Sequence, residues 1–349
     1  METNGTDVGG ICRELGSERG EVGRLGRELA RVTRQRDILK ARVRKNPGSV
    51  VCRYEQIKAQ EGEYSIHELC EAMEVARSGY YKWRGRVPSA REVMNLSLLE
   101  VIRKIFCEHR GRYGSRRIMV VLEQMGQGCN HKRVERLMRE NGLMGRSRAR
   151  SQPRTTNSTH SELIAPNLLV GRGQPTAVDQ IWVTDITYLR TEEGWVYLAA
   201  VMDLFSRRII GWSLGGSLEL GLPLEALERA LARRGGVVGV IHHSDRGCQY
   251  ASRRYCEALE QRGFCRSMSR EGHGFDNMAI ESFWSTLKTE MRIEREGLRR
   301  TEVGGRVDDY IEAYYNRVRL HSALDYRSPR EFEVKPKSRK KRSTLWNFL

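Results

Sequence analysis

The second half of the chain alternates apolar and polar residues with the two-residue period of β-strands. Three such segments follow one another across short turns, which predicts an antiparallel meander. Helical and strand patterns then alternate up to a long helix that begins near Asn277. The order βββαβαβα predicts an α/β domain with a mixed sheet flanked by helices. The predicted strands are 181–189, 195–203, 208–214, 237–242 and 264–268. The two intervening helices are 223–234, with Gly235 past its end, and 252–261.

The first segment, residues 1–48, contains a seven-residue apolar pattern between positions 15 and 43. Apolar side chains occupy seven of the nine seam positions, which predicts a coiled coil that joins copies of the chain. The alternative is one long solvated helix. The seam positions are Leu15, Glu18, Val22, Leu25, Leu29, Val32, Arg36, Leu39 and Val43.

Residues 54–145 carry the 3.6-residue period of helices. A capping box at Ser65 predicts one helix, with a break near 77–79, and Ser115 and Asn130 are predicted to cap two later helices. The last three helices resemble a helix-turn-helix module. The final helix places basic residues on its outer face, where they would contact DNA, or would simply be solvated. These residues are Lys132, Arg133, Arg136 and Arg139.

Three further boundaries follow from composition. Residues 146–178 open with four arginines and no acid among them, which indicates a basic linker. The strand-rich domain occupies 179–333. The tail, 334–349, has six basic residues between Lys335 and Arg342 and is either a phosphate-binding arm or a disordered end.

Charge then narrows the choice of partner. The 349 residues include 61 Lys and Arg against 44 Asp and Glu, a net charge of +17 that favours nucleic acid. The longest apolar run, 196–202, is far shorter than the roughly 20 residues that span a bilayer, so no membrane partner is expected. No apolar leader is found, so we expect the protein to stay inside the cell. The eight cysteines form no CxxC pair, and zinc is not expected.

Three acids occupy positions that call for an explanation. Asp185 lies inside an apolar strand, Asp245 follows the fourth strand, and Glu281 begins the last helix. Burying an unpaired carboxylate is costly, and oxygen ligands suit Mg²⁺, with Mn²⁺ able to substitute. The alternative is three unrelated acids. Residue types alone do not decide between the two interpretations, and 35 residues separate Asp245 from Glu281.

The acids and the words around them resemble the insertion-sequence-three family of transposases, relatives of retroviral integrases. Asp185, Asp245 and Glu281 match the DD(35)E triad of that family. The resemblance covers roughly residues 25 to 333. It is carried by WVTDITY at 182–188, HSDRGCQY at 243–250, SMSR at 267–270, DN at 276–277, ESFWSTLK at 281–288, YN at 315–316 with Arg319 and HSAL at 321–324, SGYYKW at 78–83 and RYGSRR at 112–117.

The resemblance implies an RNase H-like core, two divalent metals bound by the triad, and DNA cleavage and strand transfer at element ends. The implied partners are terminal inverted repeats, target DNA, further copies of the chain, and a separate helix-turn-helix protein from an upstream reading frame. It also implies a prokaryotic cell and association with its nucleoid. Two other functions stay open: a noncatalytic DNA-binding regulator of transposition, and a metal-dependent RNA-cleaving enzyme of the same fold.

Four residues near the triad have assigned roles. Lys288 lies seven residues after Glu281, only about 20° short of two helical turns, so both project from one face. The resemblance implies that Lys288 contacts the terminal DNA, and the alternative is an exposed solubilising lysine. His243 and Asn277 are expected to support the site. Trp284 is assigned to the apolar stripe of the last helix.

Overall fold

A computed structural model describes residues 21–36, 49–147, 164–271 and 273–335. The ends of the heptad pattern, the first half of the predicted linker and most of the basic tail lie outside the described residues. The chain divides into two compact units, Met1–Met94 and Asn95–Leu349. The predicted helical region 54–145 is thus shared between the two units.

The first unit is helical. Helix α1 covers residues 21–36 of the predicted coiled coil. The core of the first unit is built from Ile57, Leu69, Met73 and Tyr80, all of which are buried. The remaining helices are α2 (Val50–Gln60), α3 (Ile66–Ala72), α4 (Arg77–Arg84) and the first residues of α5 (Ala90–Glu108).

Local signals were informative in this unit, with one exception. The capping box is present, because Ser65 and Glu68 bond reciprocally at the start of α3. The predicted break at 77–79 is wrong, since α4 runs through these residues and the turn precedes Ala76. Gly79 is a packing residue there: a Cβ atom would collide with the Tyr54 hydroxyl.

The second unit begins with three helices around one small core, which we call the helical trio. It consists of the rest of α5, α6 (Ser115–Gln124) and α7 (His131–Glu140). Asn130 caps α7 as predicted, by accepting from the Lys132 N–H. The prediction for Ser115 is wrong, because Gly114 is the N-cap of α6 and the Ser115 hydroxyl bonds instead to His131 Nε2 at 3.0 Å.

A five-stranded mixed sheet forms the centre of the second unit, in the order β3-β2-β1-β4-β5. Strands β1 to β3 are antiparallel, and β4 and β5 run parallel to β1. The fourth strand starts later than predicted because Gly239 turns the chain at a φ of +75°. The strands are β1 (Ile181–Thr191), β2 (Gly194–Asp203), β3 (Ile209–Gly215), β4 (Ile241–Ser244) and β5 (Cys265–Met268).

Helices cover both faces of this sheet, as the βββαβαβα pattern predicted. Alternate residues of β1 face opposite cores: Val183 packs towards the last long helix and Trp182 towards the helices of the other face. Gly211 of β3 admits the close approach of α8, since a Cβ atom would collide with the Ala226 carbonyl. One face carries α8 (Gly221–Arg234), α9 (Cys248–Ala251) and α10 (Arg253–Glu260), and the other carries α11 (Met278–Met291), α12 (Ile293–Glu296) and α13 (Arg300–Asp308).

The chain after α13 returns to the helical trio. A π-helical turn (Asp309–Tyr315) and a 3-10 turn (Ser322–Leu324) precede α14 (Pro329–Val334). The Tyr113 hydroxyl of the trio accepts from the Leu320 N–H at 2.9 Å, and Arg117 Nε donates to the Leu320 carbonyl at 2.9 Å. These bonds attach the trio to the sheet domain. Within the described residues no helix is long and apolar enough to cross a membrane.

Candidate active site

The fold brings two of the three predicted acids to one edge of the sheet. Strand β4 pairs with β1 only along residues 181–183, so Asp185 lies just beyond the paired stretch. Asp245 directly follows the last residue of β4. Because β1 and β4 are parallel and Val183 pairs with His243, Asp185 and Asp245 lie at matching positions just beyond the paired stretch. Glu281 comes from the first turn of α11, which packs against β1.

Asp185 is the most strongly perturbed of the three acids. Burial raises its pKa well above the usual range, and the charge of Asp245 adds to that effect, with Glu281 contributing less. Two neutral donors oppose the shift: the Ile186 N–H reaches Oδ1 at 2.8 Å, and the Trp284 indole N–H reaches Oδ2 at 2.9 Å. Burial and the neighbouring acids therefore disfavour the charged form of Asp185.

The other two acids differ in accessibility, and only Glu281 is fully exposed. Asp245 is partly buried, and its Oδ1 accepts from the Gly247 N–H at 3.0 Å. Glu281 is exposed on α11. Nowhere in the described parts of the chain do three His, Cys, Asp or Glu side chains lie close enough together to hold a metal ion. The structure thus brings Asp185 and Asp245 together, while Glu281 acts on Asp185 more weakly than Asp245 does.

The two predicted supporting residues are buried. His243 bonds to Ser267 through Nδ1 at 2.9 Å and to Ser269 through Nε2 at 3.2 Å, and burial lowers its pKa to about 4. A neutral imidazole held between two hydroxyl groups fits a structural role better than a general base. Asn277, the N-cap residue of α11, donates from Nδ2 to the Thr184 carbonyl at 3.0 Å. It therefore fastens the helix of Glu281 to the strand of Asp185.

Sequence reasoning did not assign a role to Asp276, although it lies within a recognised motif word. It forms an ion pair with Arg270 at 2.9 Å and accepts from Asn167 Nδ2 at 2.8 Å. Burial opposes ionisation of Asp276, but the hydrogen bonds from Arg270 lower its pKa overall. These contacts anchor both ends of the loop that leads into α11.

Trp284 was assigned only to the core, and it is indeed buried, at 5% exposure. The contact of its indole N–H with Asp185 was missed. A buried tryptophan usually finds an acceptor for that N–H, and this requirement was the available signal. The sequence could not show which acceptor it finds, because Trp284 and Asp185 are 99 residues apart.

The predicted DNA-contacting residues lie on two helices of the second unit. Lys288 is exposed on α11. On α7, Lys132 and Arg139 are exposed, whereas Arg133 donates to Asn95 at 2.8 Å and Arg136 pairs with Glu140 at 3.5 Å. The opposite side of α7 is buried as predicted, through Val134, Leu137 and Met138.

A buried ion pair lies where the helical trio meets the sheet domain. Arg319 donates from two nitrogens to Glu290 of α11, at 2.8 to 3.1 Å, and the Tyr310 hydroxyl donates to the same carboxylate at 2.9 Å. The guanidinium of Arg112 stacks on Tyr314, 4.2 Å from the ring centre. Arg146, just after the trio, donates to the Glu290 carbonyl. The end of α11 is thereby tied to the trio.

A mixed five-stranded sheet with two acids on neighbouring parallel strands fits a polynucleotidyl transferase with an integrase-type core. Family models agree with this class. Two models described as "Integrase core domain" match residues 175–273 and 262–329, and one described as "HTH-like domain" matches residues 95–151. The predicted fold class is confirmed.

Curated relatives extend the match over most of the chain. A transposase for insertion sequence element IS904 of Lactococcus lactis is 40% identical over 248 residues, 71% of this chain and 98% of that protein. An uncharacterised 31 kDa protein of insertion element IS600 from Shigella sonnei is 39% identical over 76% of this chain and 98% of its own length. The transposase InsF for insertion sequence IS3A of Escherichia coli is 37% identical over 81% and 99%. The chain belongs to the IS3 family of insertion-sequence transposases.

Solved structures with a similar fold include integrases. A simian T-cell lymphotropic virus intasome in complex with PP2A regulatory subunit B56 gamma matches with a TM-score of 0.41 and 14% identity, over 65% of this chain and 76% of that chain. The HTLV-2 integrase catalytic core domain in complex with magnesium, in a dimeric form, matches with a TM-score of 0.36 and 13% identity, over 45% and 98%.

Proposed function

We propose that this transposase cleaves a DNA strand at the insertion-sequence end and joins the freed 3′-hydroxyl to another strand, with Asp185, Asp245 and Glu281 as its catalytic acids. The observation that carries this proposal is the meeting of Asp185 and Asp245 where the parallel pairing of β1 and β4 ends. Two carboxylates so placed, both half-buried, repel each other, and burial disfavours their charged forms. A divalent cation would relieve both penalties.

The donor set fits Mg²⁺, with Mn²⁺ as a substitute. Carboxylate oxygens are the hard ligands that both ions prefer, and no sulfur or imidazole is part of the proposed set. Asp185 and Asp245 would hold the cations together with Glu281 of α11. Bound cations of this kind supply an activated water or hydroxyl and stabilise the leaving oxygen.

The chain's own residues would orient the DNA. Lys288 shares α11 with Glu281, so its ammonium group would meet a phosphate of the terminal DNA beside the acids. The exposed side of α7 would contact the terminal repeats or the target duplex through Lys132, Arg133, Arg136 and Arg139. The net charge of +17 supports phosphate-dominated binding, with log K falling by about 0.9 per neutralised phosphate for each unit of log salt.

A second copy of the chain is the proposed partner of α1. Four seam residues of this helix are 52% to 70% exposed. Arg31 and Arg34 reach Glu71 and Glu68 of α3 instead, so the polar side of α1 already has contacts within the unit. The seam residues are Val22, Leu25, Leu29 and Val32. Self-association would let one assembly hold two DNA ends.

Two wider expectations belong to the same proposal. A separate helix-turn-helix protein from an upstream frame would contribute to recognition of the repeats. The reaction would take place on DNA of a prokaryotic nucleoid.

The test is metal-dependent joining of a pre-cut end whose sequence is taken from the inverted repeats beside the gene. Asp245→Asn and Glu281→Gln are expected to abolish cleavage and joining while DNA binding persists, because an amide carries no charge to hold a cation. Glu228→Gln, on the exposed side of α8, is the matched control and should join normally. Lys288→Ala should bind ends more weakly than wild type at unchanged melting temperature.

Two results would contradict the proposal. Near-normal joining by Glu281→Gln would remove that residue from the metal site. Wild-type protein that binds ends but never joins them, with Mg²⁺ or Mn²⁺ present, would favour the noncatalytic regulator of transposition.

A further inference from the structure

Both carboxylate oxygens of Asp185 already accept a hydrogen bond. Oδ1 accepts from the adjoining Ile186 N–H at 2.8 Å, and Oδ2 accepts from the Trp284 indole at 2.9 Å. A carboxylate with two donors in fixed positions cannot rotate freely about its last bond. Each oxygen keeps a further lone pair that can face a cation.

The same helix is attached to β1 at a second point. Asn277 donates to the carbonyl of Thr184, the residue before Asp185. Asn277 is the N-cap residue of α11 and Trp284 lies near the middle of that helix, so the helix contacts β1 at two separate points. Glu281 lies between them in the sequence. Two bonds to consecutive residues of β1 thus fix the register between the helix of the third acid and the strand of the first.

We propose that Trp284 is a positioning residue of the metal site. Its indole N–H holds the Asp185 carboxylate in the orientation that receives the cation, and together with Asn277 it sets the separation between Asp185 and Glu281. This inference rests on the metal site of the proposed function. The residue touches neither DNA nor metal in this role, and acts through Asp185.

Trp284 makes both apolar and polar contacts. It packs in the same core as Ile280, Phe283 and Leu287, and its indole N–H reaches Asp185. A phenylalanine at position 284 would fill most of the same space but would lack the N–H. Partners that orient a metal ligand typically change metal affinity 10- to 100-fold when they are removed.

The experiment compares Trp284→Phe with a matched control, Trp182→Phe. Trp182 is also buried, and its indole N–H donates to Asp179 at the same 2.9 Å, but its side chain faces the opposite side of the sheet. Binding of Mg²⁺, and of Ca²⁺ as a second probe, is measured by calorimetry on the full chain without DNA. Trp284→Phe is expected to bind roughly 10-fold more weakly. Trp182→Phe should match wild type.

A third variant separates the N–H from the ring. Trp284→His keeps a ring N–H donor and should bind Mg²⁺ more tightly than Trp284→Phe. If neither variant folds, indole-¹⁵N-labelled wild type takes their place, and one of its six indole signals should shift on addition of Ca²⁺.

Three results would contradict the role of Trp284 or the metal site on which it rests. Equal Mg²⁺ affinity of wild type and Trp284→Phe, or calorimetric binding with no indole shift, would show that Trp284 is a core residue only. Wild-type protein that binds neither cation would instead overturn the metal site of the proposed function itself.

Discussion

Breaking the buried ion pair between Glu290 and Arg319 should be among the most destabilising single changes in the second unit. The two side chains are 5% and 6% exposed. Arg319→Met would leave the Glu290 charge with the Tyr310 hydroxyl as a remaining partner. Removing one member of a buried pair costs about 3–5 kcal/mol, because the other charge stays desolvated.

A double-mutant cycle isolates the pair itself. Glu290→Gln and Arg319→Met are each expected to lower the free energy of unfolding by about 3–5 kcal/mol in urea titrations. The double variant should lose less than the sum, since it buries neither charge. For a domain of more than 150 residues, each single loss corresponds to a fall in melting temperature of roughly 10 °C.

An exposed pair of similar chemistry serves as the control. Glu225 and Arg229 lie four residues apart on α8 with about half of each side chain exposed. Glu225→Gln should cost about 0.3–0.5 kcal/mol, as exposed helical pairs do. If Arg319→Met were no more destabilising than Glu225→Gln, the prediction that the unpaired buried charge lowers the free energy of unfolding would be wrong.

Two further predictions concern association and pH. Leu25→Glu combined with Leu29→Glu should lower the mass measured by light scattering, whereas Arg27→Glu, off the seam, should not; an unchanged mass would refute the coiled coil. Burial lowers the pKa of His242 to about 3, below its unfolded value, so the folded protein favours the neutral imidazole. The contribution of this group to the free energy of unfolding is therefore complete above about pH 6.5 and is lost as pH falls towards 3. His242→Gln should therefore lessen the loss of unfolding free energy between pH 7 and pH 5 by about 2 kcal/mol, measured by urea titration at each pH, and an unaltered pH slope would contradict the burial argument.

The strand-rich domain was predictable because its periods are strong. Strand β1 alternates between two cores along its length, and the predicted segment 181–189 differs from Ile181–Thr191 only at its end. Other predictions failed where the helix propensity of a single residue disagreed with the structure around it. Gly79 has the low helix propensity expected of a break, yet α4 runs through it, and the missing Cβ leaves room for the Tyr54 hydroxyl.

The candidate site was predictable as far as residue spacing reaches. Asp185 stands out as an acid inside an apolar strand, and Asp245 and Glu281 stand out as acids at element ends. The structure places the first two side by side on neighbouring strands. Residue spacing does not show which side chains form hydrogen bonds to those acids or fix the loop beside them. Asp276 and Trp284 act through contacts that depend on the packing of α11, and such contacts follow from the folded geometry alone.

The contact of the helical trio with the residues after α13 gives a common role to two distant sequence motifs. Tyr113 and Arg117 belong to the motif RYGSRR at 112–117. Both bond to Leu320, which lies between Arg319 and His321 of the C-terminal motif. Arg319 in turn bonds to Glu290 on α11, nine residues after Glu281. A continuous set of hydrogen bonds thus joins the helical trio to the helix of the third acid. If α7 contacts DNA as proposed, these bonds hold its basic side chains in a defined position relative to α11, so loss of Arg319 should impair strand joining beyond its effect on stability.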